Sequence, residues 1–347
     1  MKKGWRYILA GAVIILAGLG IWEMQQLRKS TEDDKISVIA TNFPSFDLAR
    51  AVIGNNTNVT LKMLLKPGSE SHSYEPTPQD IIDIKKSRLF IYNGGDSDNW
   101  VKKVLQEVDK KQTKVVKLTD LVTTKTEEVV EGMEEHEHEE GEHHEHERPH
   151  EHKQDEDKHH GKDHHEHHHG AQEIDEHVWT SPVKAAEIVK KLNGELARIS
   201  PKDQANFTEN TKKYTKQLAT LSANFRQVVK SAKRQTIVVA DRFPFRYFAN
   251  EYGLKYYAAF PGCSEQTEAS AKTLAFLIEK VKTEKIPVIF RIELSNGKIA
   301  QNIAKETGAK VLELNSAHNI TATDFENGKT YLDILKANLT ALKKALN

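Results

Sequence analysis

The chain has one cysteine, Cys263, among its 347 residues, so no internal disulfide can staple it and stability must come from packing. Cys263 itself reads as a small, partly buried loop thiol rather than a soft metal ligand. Net charge is also missing: 50 basic residues offset 50 acidic ones, and no basic patch is interleaved with aromatics. The chain therefore has no overall field to draw nucleic acid or an acidic membrane face, and nucleic acid is excluded as the expected partner. No HExxH motif falls in a segment that reads as a helix, which argues against a common zinc hydrolase arrangement. Asn93-Gly94-Gly95 lacks the spaced glycines and lysine of a phosphate loop and reads as a tight strand-to-helix turn. No short-period repeat occurs, and no feature demands more than a monomer.

Long apolar runs are absent apart from Ile8 to Trp22, which follows the positive start MKKGWRY and is short for a relaxed membrane span. Residues 1–34 read as an export signal or an uncleaved N-terminal anchor. Leu16-Ala17-Gly18 would suit lipoprotein processing, but the next residue is Leu19 where that chemistry needs a cysteine, so lipidation at this site is excluded. Gly18 and Gly20 offer a small-x-small cleavage site. Either fate exports the remainder, to the outer face of the cytoplasmic membrane, to the cell surface or into the medium.

Histidine is abundant and concentrated. Of 17 histidines, all but His72, His177 and His318 fall between His136 and His169. These are His136, His138, His143, His144, His146, His150, His152, His159, His160, His164, His165, His167, His168 and His169, set among glutamates with almost nothing able to build a core. Such a tract cannot bury enough surface to offset ordering entropy, so residues 134–170 are expected to be a disordered insertion. Its imidazoles attract borderline divalent metals and would serve as an auxiliary weak collecting loop. The bland alternative is an acidic linker with incidental histidines; the scatter among glutamates argues against an inserted tag.

Short β-branched runs alternate with helical patterns on either side of the tract. KISVIATNF (35–43), VTLKMLL (59–65), RLFIYNG (88–94) and VVKLTD (115–120) predict strands of a first α/β lobe over 35–180. Thr77-Pro78 with Asp80 predicts a capped helix start, and another helix follows Asp96-Ser97. Residues 181–233 read as helical throughout, restarted at Ser200-Pro201 with Ser200 as cap. TIVVAD (236–241), LKYYAAF (254–260), PVIFRIEL (287–294) and KVLELN (310–315) predict a second α/β lobe over 234–347. The expected fold class is α/β: two parallel-sheet lobes joined by a long rigid helix, with a cleft between them.

Ligands of open parallel sheets bind beyond the carboxyl ends of strands, and the isolated polar residues fall there. His72 follows VTLKMLL, Asp241 ends TIVVAD, Glu293 ends PVIFRIEL, His318 follows KVLELN, and His177 precedes the helix at Ser181. Three imidazoles plus one carboxylate oxygen suit zinc, whereas two of each would lean toward manganese. Taken singly, a loop histidine is more often a hydrogen-bonded surface residue, and Glu293 reads equally as a salt-bridged strand end. Phe43, Tyr74 and Trp179 would wall the site or pack the core.

GSESHSYEPTPQDI around His72, DEHVWTSP around His177 and RFPFRYFANEYGL after Asp241 resemble the solute-binding proteins of zinc and manganese ABC importers, the zinc-uptake or adhesin-type family. The likeness covers essentially the whole mature chain, and NSAHNIT around His318 lies where that family places its last ligand. The resemblance implies a two-lobed receptor that captures a metal ion outside the cell and delivers it to an ABC permease in the cytoplasmic membrane, without catalysis. Two departures stand out. Asp241-Arg242 replaces the third histidine usual before an FxYF-like segment, and the lipidation cysteine is missing. Asp241 can offer oxygen there, Arg242 cannot coordinate a cation, and Glu293 is the reserve donor. The rival readings are Mn2+ or Fe2+ delivery within the same class, an extracellular zinc metalloenzyme with Glu293 as base, and an adhesion protein storing metal in the tract.

Overall fold

Asn42 divides the first apolar run into two elements. In the computed structural model, which describes residues 35–133 and 174–347 apart from His72, Glu265 and Thr267, strand β1 (Ile36–Ala40) gives way to helix α1 (Phe43–Ile53). Asn42 caps that helix: its side chain accepts from the Ser45 N–H, its own N–H donates to Ser45 Oγ at 3.2 Å, and proline occupies the first turn. The strand is therefore shorter than the apolar run suggests, because capping competes with extension. β2 (Val59–Met63), α2 (Pro78–Lys86), β3 (Leu89–Tyr92), a 3-10 turn (Asp96–Asp98), α3 (Val101–Val104), β4 (Lys114–Lys117) and two further 3-10 turns (Leu118–Leu121 and Val178–Thr180) follow in the first lobe. Thr77, Pro78 and Asp80 start α2 as the sequence predicts, with Thr77 and Asp80 forming a reciprocal capping box.

Two helices follow, α4 (Pro182–Ile199) and α5 (Gln204–Lys230). The restart differs from expectation in one respect: Ser200 makes no helix-capping bond, and a 3-10 turn over Pro201–Asp203 intervenes before α5. Ser200 Oγ instead donates to Asp203 Oδ2 at 2.5 Å. The second lobe runs β5 (Thr236–Phe243), α6 (Arg246–Tyr252), β6 (Lys255–Pro261), α7 (Ala271–Thr283), β7 (Val288–Arg291), α8 (Lys298–Thr307), β8 (Lys310–Glu313), α9 (Ala322–Glu326) and α10 (Tyr331–Leu346).

Each lobe holds a four-stranded parallel sheet of the same order, β2-β1-β3-β4 and β6-β5-β7-β8. Representative pairs are Val38 with Leu89 and Val238 with Ile289. Both faces of each sheet are covered, as parallel sheets require, so central strands are buried without alternation of polarity. Alternation appears instead as a choice of core. Val38, Leu89 and Ile91 face one cluster, whereas Ile39 and Phe90 face another beneath α2 and α3.

The principal cluster is continuous from Val38 of the first lobe, through Leu192, Leu218 and Phe225 of the connecting helices, to Val239 and Leu342 of the second. Phe207, Tyr214, Leu218, Leu221, Phe225 and Val229 form the buried stripe of α5, at the spacing of one helical face. At 1.5 Å per residue this helix is about 40 Å long, enough to brace both lobes. A shared core makes the connection stiff, because opening a gap across it would expose apolar surface at roughly 25 cal/mol per Å2. Among the described residues no helix is long and apolar enough to cross a membrane. The N-terminal segment and the histidine tract lie outside the described residues.

Candidate metal centre

The segment before α4 makes an abrupt turn. In extended chain, neighbouring side chains point to opposite faces, so Glu176 and His177 could not share a cavity. His177 instead adopts φ −80° and ψ 40°, and the Val178 N–H reaches back to the Glu176 carbonyl at 2.8 Å. The turn is held from behind: the Tyr247 hydroxyl donates to the Asp175 carbonyl at 2.7 Å, and the Asp175 N–H donates to the Lys125 carbonyl at 2.9 Å.

Glu176, His177 and His318 each offer a ligand atom, and these atoms lie within 4.8 Å of one another. All three residues are buried. His318 comes from the second lobe, and its Nε2 stands 3.6 Å from Glu176 Oε1. The two imidazole rings meet edge to face with centroids 5.3 Å apart, and Trp179, wholly buried, packs against both. The Trp179 indole N–H donates to the Ser316 carbonyl at 2.9 Å, tying the aromatic wall to the loop that carries His318. Of the aromatic residues singled out in the sequence, Trp179 therefore lines the cluster, Phe43 lies in the principal core, and Tyr74 packs on Trp100.

Carboxylates orient both imidazoles. Asp175 Oδ1 lies 3.0 Å from His177 Nδ1 and accepts the His177 backbone N–H at 2.8 Å. With Nδ1 protonated toward Asp175, Nε2 is left as the electron-pair donor. Burial lowers the His177 pKa, but the hydrogen bond and charge of Asp175, helped by Glu176 and Glu127, outweigh it and hold the imidazole above its ordinary value. Glu293 does the same for the His318 loop. It accepts from the Ser316 N–H at 2.7 Å, the His318 N–H at 3.1 Å and the Ser316 hydroxyl. Between these donors Ala317 takes φ 59°, a left-handed conformation unfavourable for a residue with a Cβ, and the Glu293 bonds hold it there. Burial raises the Glu293 pKa, against these hydrogen bonds.

Glu176 is cradled by the turn after β3. Ser97 donates its N–H to Glu176 Oε2 at 3.2 Å and its hydroxyl to Oε1. Burial pushes the Glu176 carboxyl up to about 7, with His177 lowering it and Asp98 raising it. Asp98, also buried, accepts from the N–H groups of Asn93 at 2.7 Å and Gly94 at 3.0 Å, and burial lifts it to about 6. Asn93-Gly94-Gly95 is thus the tight turn expected, wrapped around a carboxylate.

The lobes touch directly above the cluster. Ser71 Oγ is 3.4 Å from His318 Nδ1, the Gly68 N–H donates to the Ile320 carbonyl at 2.7 Å, and the Asn319 amide donates to the carbonyls of Ser69 and Lys66. Arg242 pairs with Glu70 at 3.2 Å across the same mouth. The cavity beneath this mouth is about 30 Å3, the size of one ion and a water, and is lined by His177, His318, Ser71, Arg242 and Glu293 among others.

The residues marked in the sequence divide as follows. His177 and His318 come together, and Glu293 stands in the wall behind His318. His72 lies outside the described residues. Strand β5 shifts register against β6 between Val239 and Arg242, and past this irregularity Arg242 lines the cluster cavity. Asp241 lines an adjoining cavity of about 200 Å3 with Glu70 and Gln266, and its Oδ1 accepts from the Arg242 N–H at 2.9 Å. Glu176 was not foreseen. Its position beside His177 in DEHVWTSP was the available signal, hidden because adjacent residues ordinarily diverge.

Two parallel-sheet lobes, braced by a long helix and closed over buried histidines, define a two-lobed α/β solute-binding protein. Residues 38–345 match the family described as ZnuA, zinc-uptake complex component A periplasmic, and the chain belongs to that family. It is 30% identical over 348 residues to the high-affinity zinc uptake system protein ZnuA of Bacillus subtilis, covering 100% of this chain and 99% of that protein. It is 32% identical over 313 residues to the zinc-binding lipoprotein AdcA of Streptococcus pneumoniae, covering 90% of this chain but 56% of AdcA, so the chain spans about half the length of that relative. The crystal structure of the Zn(II)-bound ZnuA-like domain of S. pneumoniae AdcA superposes with a TM-score of 0.67 at 27% identity, covering 90% of this chain and 99% of that domain. The fold class expected from the sequence and the family resemblance are both borne out.

Proposed function

We propose that this protein captures Zn2+ outside the cytoplasm and hands it to an ABC permease in the cytoplasmic membrane, acting as a binding protein without catalysis. The observation that carries the reading is the convergence of two imidazoles, one from each side of the interlobe cleft, on a cavity of single-ion size with a carboxylate beside them. Zinc binds imidazole nitrogen and carboxylate oxygen, usually four of them in a closed site. His177 and His318 supply two nitrogens. His72 supplies a third in this reading, supported by its chain neighbour Ser71, which reaches His318. The oxygen donor comes from the carboxylates around the cavity, among which the sequence pointed to Asp241 and Glu293. The histidine tract raises the local ion concentration near the cleft, a multivalent effect that needs no fixed geometry.

A nitrogen-rich site disfavours Mn2+, which prefers oxygen ligands. The experiment is competition between Zn2+ and Mn2+ on the full chain, with a chelator strong enough to strip the tract. Zinc should displace manganese from the tight site at far lower concentration. Equal competition, or manganese preference, would move the protein to the manganese branch of its class.

A further inference from the structure

The geometry points to Glu176 as the carboxylate that binds the ion together with His177 and His318, with Ser97 as its positioning residue. This rests on the metal-capture reading above and names the oxygen donor of that site. The first support is distance. Donor atoms around a tetrahedral ion with bonds of roughly 2.1 Å stand about 3.4 Å apart, and Glu176 Oε1 lies 3.6 Å from His318 Nε2. Glu176 is also the carboxylate grouped with both imidazoles by mutual ligand-atom proximity.

The second support is charge. Glu176 is fully buried, and among the described residues no lysine or arginine forms an ion pair with it. In its ionised form a carboxyl group withdrawn from water is strongly disfavoured unless a cation neutralises it, and without one it holds a proton instead. A divalent ion held between this carboxylate and two neutral imidazoles supplies that charge. The third is preorganisation. Gly95 adopts φ +127°, and a Cβ added there would fall 2.2 Å from Glu176 Oε2. The backbone thus closes on the carboxylate as only glycine permits, while Ser97 fixes both oxygens.

The two carboxylates marked in the sequence are engaged differently. Both Glu293 oxygens hold the 316–318 loop, so Glu293, although it lines the cavity, is already engaged in positioning His318. Asp241 opens into the adjoining cavity.

The test is a crystal structure of the full chain loaded with zinc, with anomalous data at the zinc edge. The ion should sit about 2.0–2.2 Å from a Glu176 oxygen and from one nitrogen each of His177 and His318. Alongside it, chelator competition should show Glu176→Gln losing about 100-fold or more in zinc affinity, and Ser97→Ala losing about tenfold, the range typical of outer-shell partners. Zinc bonded to Glu293 or Asp241, with Glu176 still held by Ser97, overturns the assignment and leaves metal capture standing, as does unchanged affinity in Glu176→Gln. No zinc beside His177 and His318 overturns the capture reading itself. If Glu176→Gln does not fold, the ion's position in the unaltered chain decides.

Discussion

A single oxygen, Asp175 Oδ1, receives both the backbone N–H and the ring Nδ1 of His177, at 2.8 and 3.0 Å. The arrangement fixes the imidazole in rotation and in tautomer, so the ring is set before an ion arrives. Asp175→Asn can present its amide N–H to Nδ1 and favour the wrong tautomer. Zinc affinity should fall about 10–100-fold while the fold persists, read by chelator competition and circular dichroism. Undiminished affinity would show that the ring is oriented by its packing on Trp179 alone.

Acidity acts on the apo protein in a definite direction. Asp98 and Glu176 are raised from ordinary values of 3.8 and 4.5 to about 6 and about 7, and His177 is raised too. In the folded chain these groups keep protons that the unfolded chain has released, so the stability they contribute is full below their unfolded values and lost as pH rises through the folded ones. With a chelator present, the melting temperature should decline between pH 5 and 8. Zinc should raise it more at pH 8 than at pH 5.5, because protons compete for imidazole and carboxylate. A chelated protein whose melting point climbs steadily across that window contradicts the placement of these buried acids.

Gly95 should tolerate no side chain. A Cβ would meet Glu176 Oε2 at 2.2 Å, in a region of backbone space that L-residues rarely enter. Gly95→Ala should cost about 2 kcal/mol or more in denaturant unfolding. A loss below about 0.5 kcal/mol, the scale of ordinary surface changes, would mean the cradle yields easily.

Because one apolar cluster runs through both lobes and the connecting helices, the described part of the chain should unfold in one transition. Leu218→Ala, at a fully buried site on α5, should lower stability by about 2–5 kcal/mol and move that transition as a unit. Two separated transitions would show lobes that fold independently.

How far these features could be read in advance depended on the range of the interactions behind them. The eight strands follow from local β-branched runs, and the start of α2 from the chemistry of Thr77, Pro78 and Asp80 alone. His177 and His318 stood out as histidines left over beside predicted strand or helix ends. Glu176 did not, because its service to the site depends on a turn at His177 and on Ser97, 79 residues earlier. Asp241 and Arg242 were indistinguishable in register; past the irregularity in β5, Arg242 reaches the cluster cavity, whereas Asp241 lines only the adjoining one. Ser200 looked like a cap because proline followed it, yet a 3-10 turn follows and its hydroxyl donates to Asp203 instead.

The central claim is that one ion is shared by imidazoles from both sides of the cleft, and counting tight zinc sites tests it most directly. With residues 134–170 removed, chelator-competed titration should leave one tight zinc equivalent, and His318→Ala in that background should abolish it. A tract-deleted chain with no tight equivalent, or one whose tight equivalent survives loss of both His177 and His318, would contradict the account.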